Sequence, residues 1–308
     1  HIMNIGDTMK FLLSLLCITL LLVGCSATGS NSKYPVIEQV GNEITPTFDM
    51  IKIPDASGVL IASDNLVEID YSNTNLGYIM VKTKSSDHEK LKIQIIKGEE
   101  KYTYDIAVDD KFISYPLNMS DGDYTIKVLE NVGGDNYALK LSKSINVTLD
   151  NENYPFLYPS YIVNYDIETK AIAKSFEICE GATSDLERVY LIYEWITNNI
   201  EYDWKKVEEV QDKFVVPIVD ETLSLKSGIC FDYAALMSCM LRVQQIPTKL
   251  RTGYVELGYH AWVEVYIEDV GWVDPNVYFK SDEWTRMDPT FEASGENYNG
   301  NYENKYQY

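Results

Sequence analysis

Between residues 35 and 150 the chain alternates apolar and polar positions in short runs. In Leu91-Lys-Ile-Gln-Ile the residues Leu91, Ile93 and Ile95 fall on one face. Tyr102-Thr-Tyr-Asp-Ile-Ala-Val and Tyr124-Thr-Ile-Lys-Val repeat the pattern. Period-two alternation broken by Lys-Gly, Asp-Gly and Gly-Gly turn signals predicts antiparallel strands. Their spacing of roughly ten residues predicts a β-sandwich of the Ig-like kind. No catalytic constellation occurs in this stretch, so a spacer or binding module is its default role.

Residues 151–165 read as a connection between domains. Pro155 and Pro159 stand against a helix there, and the aromatic residues are expected to order it. From residue 166 the period changes. Ser184 and Glu187 have capping-box spacing, and Leu186, Val189, Tyr193, Ile196 and Ile200 follow at intervals of three and four. This predicts an amphipathic helix over 184–200. Residues 229–243 are apolar nearly all round, as in a buried helix. Residues 250–257, 261–267 and 272–279 read as strands. Helices followed by strands predict an α+β domain over 166–293. The Asn/Tyr-rich tail, 294–308, has no periodicity and is expected to be loose.

The chain has 308 residues with 45% hydrophobic and 24% charged content, which fits a globular protein. A formal charge of -21 argues against nucleic acid as a partner, because phosphates would be repelled. At the N-terminus, Met9-Lys10 precedes an apolar run, Phe11 to Val23, ending in Leu22-Val-Gly-Cys25-Ser26. The run is too short to span a bilayer and suits a signal peptide. Its end resembles a bacterial lipobox, which would lipidate Cys25. Residues 1–25 thus read as a tag remnant and lipoprotein signal, and 26–34 as a flexible tether. The expected location is the extracytoplasmic face of the cell membrane, held by a lipid anchor. Of five cysteines, Cys179, Cys230 and Cys239 remain in the body of the chain, an odd number with no CxxC. A disulfide framework is not expected.

A free thiol outside the cytoplasm requires a reason, and catalysis supplies one. Cys230 stands at the predicted start of the buried helix, where unpaired N–H groups favour thiolate and can hold an oxyanion. Cys239, deeper in that helix, is an ordinary core residue. His260 opens an apolar strand and suits general acid–base work. The other histidines are His1 in the leader and His88 in a polar stretch. The third member, which would orient the imidazole, has two candidates, Asp288 and Asp274, each followed by a proline. One relevant histidine and no paired cysteines give no zinc pattern, and no metal site is expected. Asp121-Gly-Asp123 reads as a hairpin turn rather than a calcium loop.

Three strings carry a resemblance. Gly228-Ile-Cys-Phe-Asp-Tyr-Ala234, Tyr259-His-Ala-Trp-Val-Glu-Val265 and Trp284-x-x-x-Asp288-Pro-Thr290 resemble the cysteine, histidine and aspartate motifs of the transglutaminase-like superfamily. That family is a branch of the papain-like cysteine enzymes, and the resemblance covers residues 184–292. The Trp-to-Asp spacing of four matches Asp288; Trp272 and Asp274 are two apart. The long step from His260 to Asp288 calls for an inserted strand pair. The whole layout resembles transglutaminase-like surface proteins of Gram-positive bacteria. The resemblance implies a Cys230-His260-Asp288 triad and a thioester acyl-enzyme, with Tyr202 the candidate second oxyanion donor. It implies no cofactor. The substrate would be an amide in protein or cell-wall peptide, opened by hydrolysis or cross-linked to an amine. The competing reading is an inactive binding or scaffold module on the cell surface.

Metabolic labelling with a palmitate analogue tests the leader: the wild-type protein should take the label and Cys25→Ala should lose it. A label retained by Cys25→Ala contradicts the lipidation reading.

Overall fold

The computed structural model describes residues 44–84, 90–106, 111–210, 213–256, 258–273, 290 and 302–308, with the backbone of 278–280 and 283–286. The first half is β-rich. Strands β1 (Ile61–Ser63), β2 (Val67–Asp70), β3 (Tyr78–Thr83) and β6 (Ile113–Pro116) form an antiparallel sheet in the order β1-β2-β3-β6. Strands β4 (Leu91–Lys97), β5 (Glu100–Ile106), β7 (Gly122–Gly133) and β8 (Asn136–Val147) form a second, in the order β5-β4-β7-β8. The predicted alternation is obeyed. Ile93 pairs with Tyr104 on one side and Val128 on the other, and Ile95 with Tyr102 and Ile126; all are buried. Both sheets turn their apolar faces into one core, where the Tyr104 and Tyr115 rings meet at 5.4 Å.

One local expectation is corrected. Asp121-Gly-Asp123 is not a hairpin turn. Gly122 opens β7, the Asp121 carboxylate accepts the Leu149 N–H at 2.8 Å, and Asp123 accepts from Asn146 at 2.7 Å. Two acids that look like a turn are strand-edge anchors.

Residues 151–165 contain a 3₁₀ turn at Tyr154–Phe156 and bury Phe156, Leu157, Tyr158, Ile162, Val163 and Tyr165. The helices follow: α1 (Lys170–Ile178), α2 (Asp185–Asn199), α3 (Trp204–Val210), α4 (Val219–Leu225) and α5 (Cys230–Val243). The Ser184 hydroxyl caps α2 by accepting the Glu187 N–H at 3.3 Å. Glu187 reaches back past the cap to the Thr183 N–H at 2.8 Å, one residue beyond the usual box. Between α2 and α3 lies β9 (Glu201–Tyr202), and before α5 lies β10 (Ser227–Gly228), paired parallel to it. Strands β11 (Thr248–Val255), β12 (Gly258–Ile267), β13 (Gly271–Val273) and β16 (Glu303–Gln307) form an antiparallel sheet in the order β13-β12-β11-β16. A separate hairpin, β14 (Tyr278–Lys280) with β15 (Glu283–Arg286), occupies the step between the histidine and aspartate motifs.

The end of the tail contradicts the expectation of a loose segment. Glu303–Gln307 is β16, on the edge of β11, and Tyr308 is buried. No alternation announces this strand because backbone pairing and tyrosine rings hold it. Leu250 and Tyr308 exchange backbone hydrogen bonds of 3.0 and 2.8 Å, and the Tyr308 ring meets Tyr102 and Tyr104 edge-on. Gly253 makes the approach possible, since a Cβ there would collide with the Glu303 carbonyl. Gln307 bonds to Asn118 in both directions. Strands of the β-rich region and helices of the second half therefore share one large hydrophobic cluster.

Arg242, near the end of α5, is fully buried and closes this junction. Its guanidinium donates to the carbonyls of Tyr158 at 2.8 Å, Thr248 at 2.8 and 3.1 Å, and Tyr308 at 2.8 Å. Burial pulls its pKa down to about 10, which still leaves it charged at neutral pH. Arg242→Met keeps the stem and removes the donors, leaving three carbonyls buried without them. Urea unfolding should show a loss of about 3 kcal/mol or more. A change within about 0.5 kcal/mol of wild type, the ordinary scatter of surface substitutions, contradicts this role.

Candidate active site

The turn that delivers Cys230 is fixed from both sides. Lys226 ends α4 in the left-handed region at φ 53°, and Ser227–Gly228 then pairs with Glu201–Tyr202. Ile229 is extended, and α5 begins at Cys230. Gly228 leaves no room for a side chain: a Cβ there would lie 2.7 Å from Asp232 Cβ. Asp232, in the first turn of α5, accepts the Ile229 N–H at 2.9 Å. Its carboxylate is buried, and Lys206 of α3 pairs with it at 2.8 Å. The Tyr233 hydroxyl donates to the Ile200 carbonyl at 2.6 Å and ties the turn to the end of α2. The string Gly-Ile-Cys-Phe-Asp-Tyr is thus a packing unit as well as a motif.

Cys230 is partly exposed, whereas Cys179 and Cys239 are buried. Burial pushes the Cys179 thiol up to about 12 and the Cys239 thiol well above its usual range. Those two stay protonated at physiological pH and are poor nucleophiles.

His260 is the third residue of β12 and is 6% exposed. Alternation divides the strand. Ala261, Val263, Val265 and Ile267 lie in the core with α5, while His260, Trp262 and Glu264 take the other face. On that face the Trp262 ring lies 6.2 Å from the imidazole at 14° between planes, and Tyr302 lies 6.4 Å from it. Tyr302 and Trp262 meet at 4.7 Å, so two rings wall the imidazole. Glu264 pairs with Arg251 at 2.6 Å, and Arg251 donates to Gln307 at 2.7 Å. This ties the histidine strand through β11 to β16.

The packing brings the starts of α5 and β12 to the same end of the helix–sheet layer. Arg242 holds the Thr248 carbonyl, and Thr248 is in register with Val265. From Arg242 back to Cys230 the helix rises about 18 Å. From Val265 back to His260 the strand covers about 17 Å. The two lengths are thus alike, and Cys230 opens α5 while His260 stands near the start of β12, which packs against that helix. The charge of Cys230 is also among the influences on the Tyr259 phenol, whose pKa burial raises first.

Tyr202 stands in register with Gly228, two residues before Cys230, and its ring contacts Trp204 at 4.6 Å. Trp204 is 62% exposed, Phe214 60% and Tyr259 55%. Phe214 rests on Phe231 at 5.7 Å, and Tyr254 on Tyr259 at 5.2 Å. Open aromatic rings therefore rim the Cys230 turn. Asp288, Asp274, His88 and Cys25 lie outside the described residues. Sequence reasoning passed over Asp232 and Lys206; the available signal was an acid at the third helical position after Gly-x, a capping placement.

Residues 172–277 match the transglutaminase-like superfamily. A UPF0252 protein of Methanocaldococcus jannaschii is 31% identical over 123 residues, covering 36% of this chain and 32% of the relative. Kyphoscoliosis peptidase of Mus musculus is 33% identical over 104 residues, covering 30% of this chain and 15% of the relative. The chain thus spans a third or less of the length of these relatives. The periplasmic domain of TgpA from Pseudomonas aeruginosa aligns over 76% of this chain and 96% of its own, with TM-score 0.32 and 12% identity.

Proposed function

We propose that the protein is a cysteine-dependent acyl-transfer enzyme that opens amides in protein or cell-wall peptide. The reading is supported by the packing of α5 on β12, with Cys230 at the start of one and His260 near the start of the other. Cys230 is also a partly open thiol at a helix N-terminus, which presents unpaired backbone N–H groups to an incoming substrate.

The chemistry follows from these groups. The Cys230 thiolate attacks the amide carbonyl carbon, and its electrons pass to the oxygen. N–H groups at the start of α5 stabilise that oxyanion, with Tyr202 as the second donor. The C–N bond breaks as the His260 imidazolium gives its proton to the leaving amine. A thioester remains on Cys230. His260 then takes a proton from water or from an amine, whose attack releases an acid or a new amide. Asp288 holds the imidazole tautomer. Trp204, Phe214 and Tyr259 offer apolar contact to side chains flanking the amide. The mouse relative is named a peptidase, which favours water as the acceptor. A lipid on Cys25 would hold the enzyme on the extracytoplasmic face of the membrane, with the β-rich region as a sandwich-type spacer or binding module.

Intact-protein mass spectrometry with peptide libraries, with and without an amine donor, tests the reading directly. Wild type should accumulate a thioester adduct or its products, and Cys230→Ala should form none. Cys239→Ala should cost on the order of 1 kcal/mol in stability and keep activity. Asp288→Asn should slow turnover by about 10⁴, the scale of the equivalent change in a serine protease, while Asp274→Asn stays mild. Activity that survives Cys230→Ala, or that is lost in Asp274→Asn but not in Asp288→Asn, contradicts the assignment.

A further inference from the structure

We infer that the Asp232–Lys206 ion pair sets the charge around Cys230 and thereby the pH at which its thiol becomes nucleophilic. The inference deepens the proposed function and rests on Cys230 being its nucleophile. Asp232 is a buried carboxylate two residues from Cys230, with one oxygen on the Ile229 N–H at 2.9 Å. A negative charge there holds the turn in place but opposes ionisation of the adjacent thiol. Lys206 removes that opposition: its ammonium sits 2.8 Å from the same carboxylate oxygen and is itself partly open to solvent. The two residues do different work. Asp232 orients the turn by its hydrogen bond, and Lys206 cancels the field this orientation costs.

The local sequence is fitted to the pair. Gly228 is the residue that lets the Asp232 side chain lie flat against the turn. Lys206 is brought over by the first turn of α3, where Asp203 accepts the Lys206 N–H at 2.8 Å. Asp203 is itself joined to the cysteine turn through its N–H on the Gly228 carbonyl at 2.9 Å. Motif, cap and counter-ion form one bonded circuit. The other titratable groups around this end are Asp203 beside Lys206, Glu201 and Tyr202 on β9, and Tyr259 and His260 on β12; the charges of Asp203 and Glu201 are the same in every variant below. The phenols of Tyr202 and Tyr259 carry no charge near neutral pH. His260 acts in the same sense in every variant below, so it does not mimic the pair.

Opposite substitutions therefore have opposite signs. Lys206→Met leaves the Asp232 charge uncompensated and should raise the pH midpoint of Cys230 alkylation. Asp232→Asn retains an oxygen for the Ile229 N–H, removes the negative charge and leaves the Lys206 ammonium uncompensated at this end of α5, so the midpoint should fall. At an effective dielectric near 20, a unit charge within about 12 Å shifts a pKa by about one unit or more. Lys206→Arg should restore the wild-type midpoint. A purely structural role would slow both variants without moving their midpoints in opposite directions.

The test is the pH profile of iodoacetamide alkylation on the full chain, with the Cys230 peptide quantified by mass spectrometry. A rise of about one unit in Lys206→Met, a fall in Asp232→Asn and recovery in Lys206→Arg support the pair. Midpoints that coincide, or that move together, overturn it. If Asp232→Asn does not fold, Lys206→Met alone decides, because its side chain is partly exposed and its loss leaves the Ile229 hydrogen bond intact. Opposed shifts in a protein that forms no thioester from any peptide would keep the pair and remove the enzymatic reading. An acyl-enzyme with coincident midpoints would do the reverse.

Discussion

A helix buried on nearly every side can be seated in only one way, and α5 is such a helix. From Tyr233 to Val243 its side chains lie in the core, with the α1 and α2 helices on one side and the inward face of β11 and β12 on the other. Buried polar groups pin its register. Arg242 holds three carbonyls at one end, Met240 gives its carbonyl to Ser175 at 2.7 Å, and Tyr233 and Asp232 fasten the other end. Each of these bonds would leave a buried orphan if the helix turned or slid. The position of Cys230 is thus dictated from within the core.

The sequence makes some of this plain and hides the rest, for identifiable reasons. Strands β4, β5 and β7 carry alternating apolar residues because one face of each is buried, so the pattern is local and readable. The Ser184 cap and the apolar run of α5 are likewise short-range signals. Strand β16 has no such signal: four of its five residues are exposed, and its hold comes from Gly253, Asn118 and two tyrosine rings far away in sequence. Arg242 reads as a surface residue at a helix end until the three carbonyls around it are known. Asp232 is visible inside the cysteine motif, but its burial and its partner Lys206 come from a helix more than twenty residues upstream. Pairing across long separations is what a periodicity cannot encode.

The candidate site itself was legible to an unequal degree. The residue types and their local strings point to Cys230 and His260, which stand near the starts of α5 and β12, two elements packed on each other. The sequence alone supplied no account of why Gly228 precedes the cysteine or why an acid follows it; both answers lie in the crowding of one turn. The aromatic wall formed by Trp262 and Tyr302 also depends on the returning C-terminal segment, so β16 serves the site as well as the fold.

The central claim is that the Cys230 thiol and the His260 imidazole act as one coupled pair. Their mutual influence is directly measurable from the His260 ring resonances in NMR spectra, assigned with His260→Gln and followed with pH in wild type and in Cys230→Ser. A thiolate beside the ring stabilises the imidazolium, and the two groups then titrate together. The account predicts a His260 midpoint at least about one unit higher in wild type than in Cys230→Ser. Superimposable titration curves would show that the ring does not sense the thiol, and would contradict it.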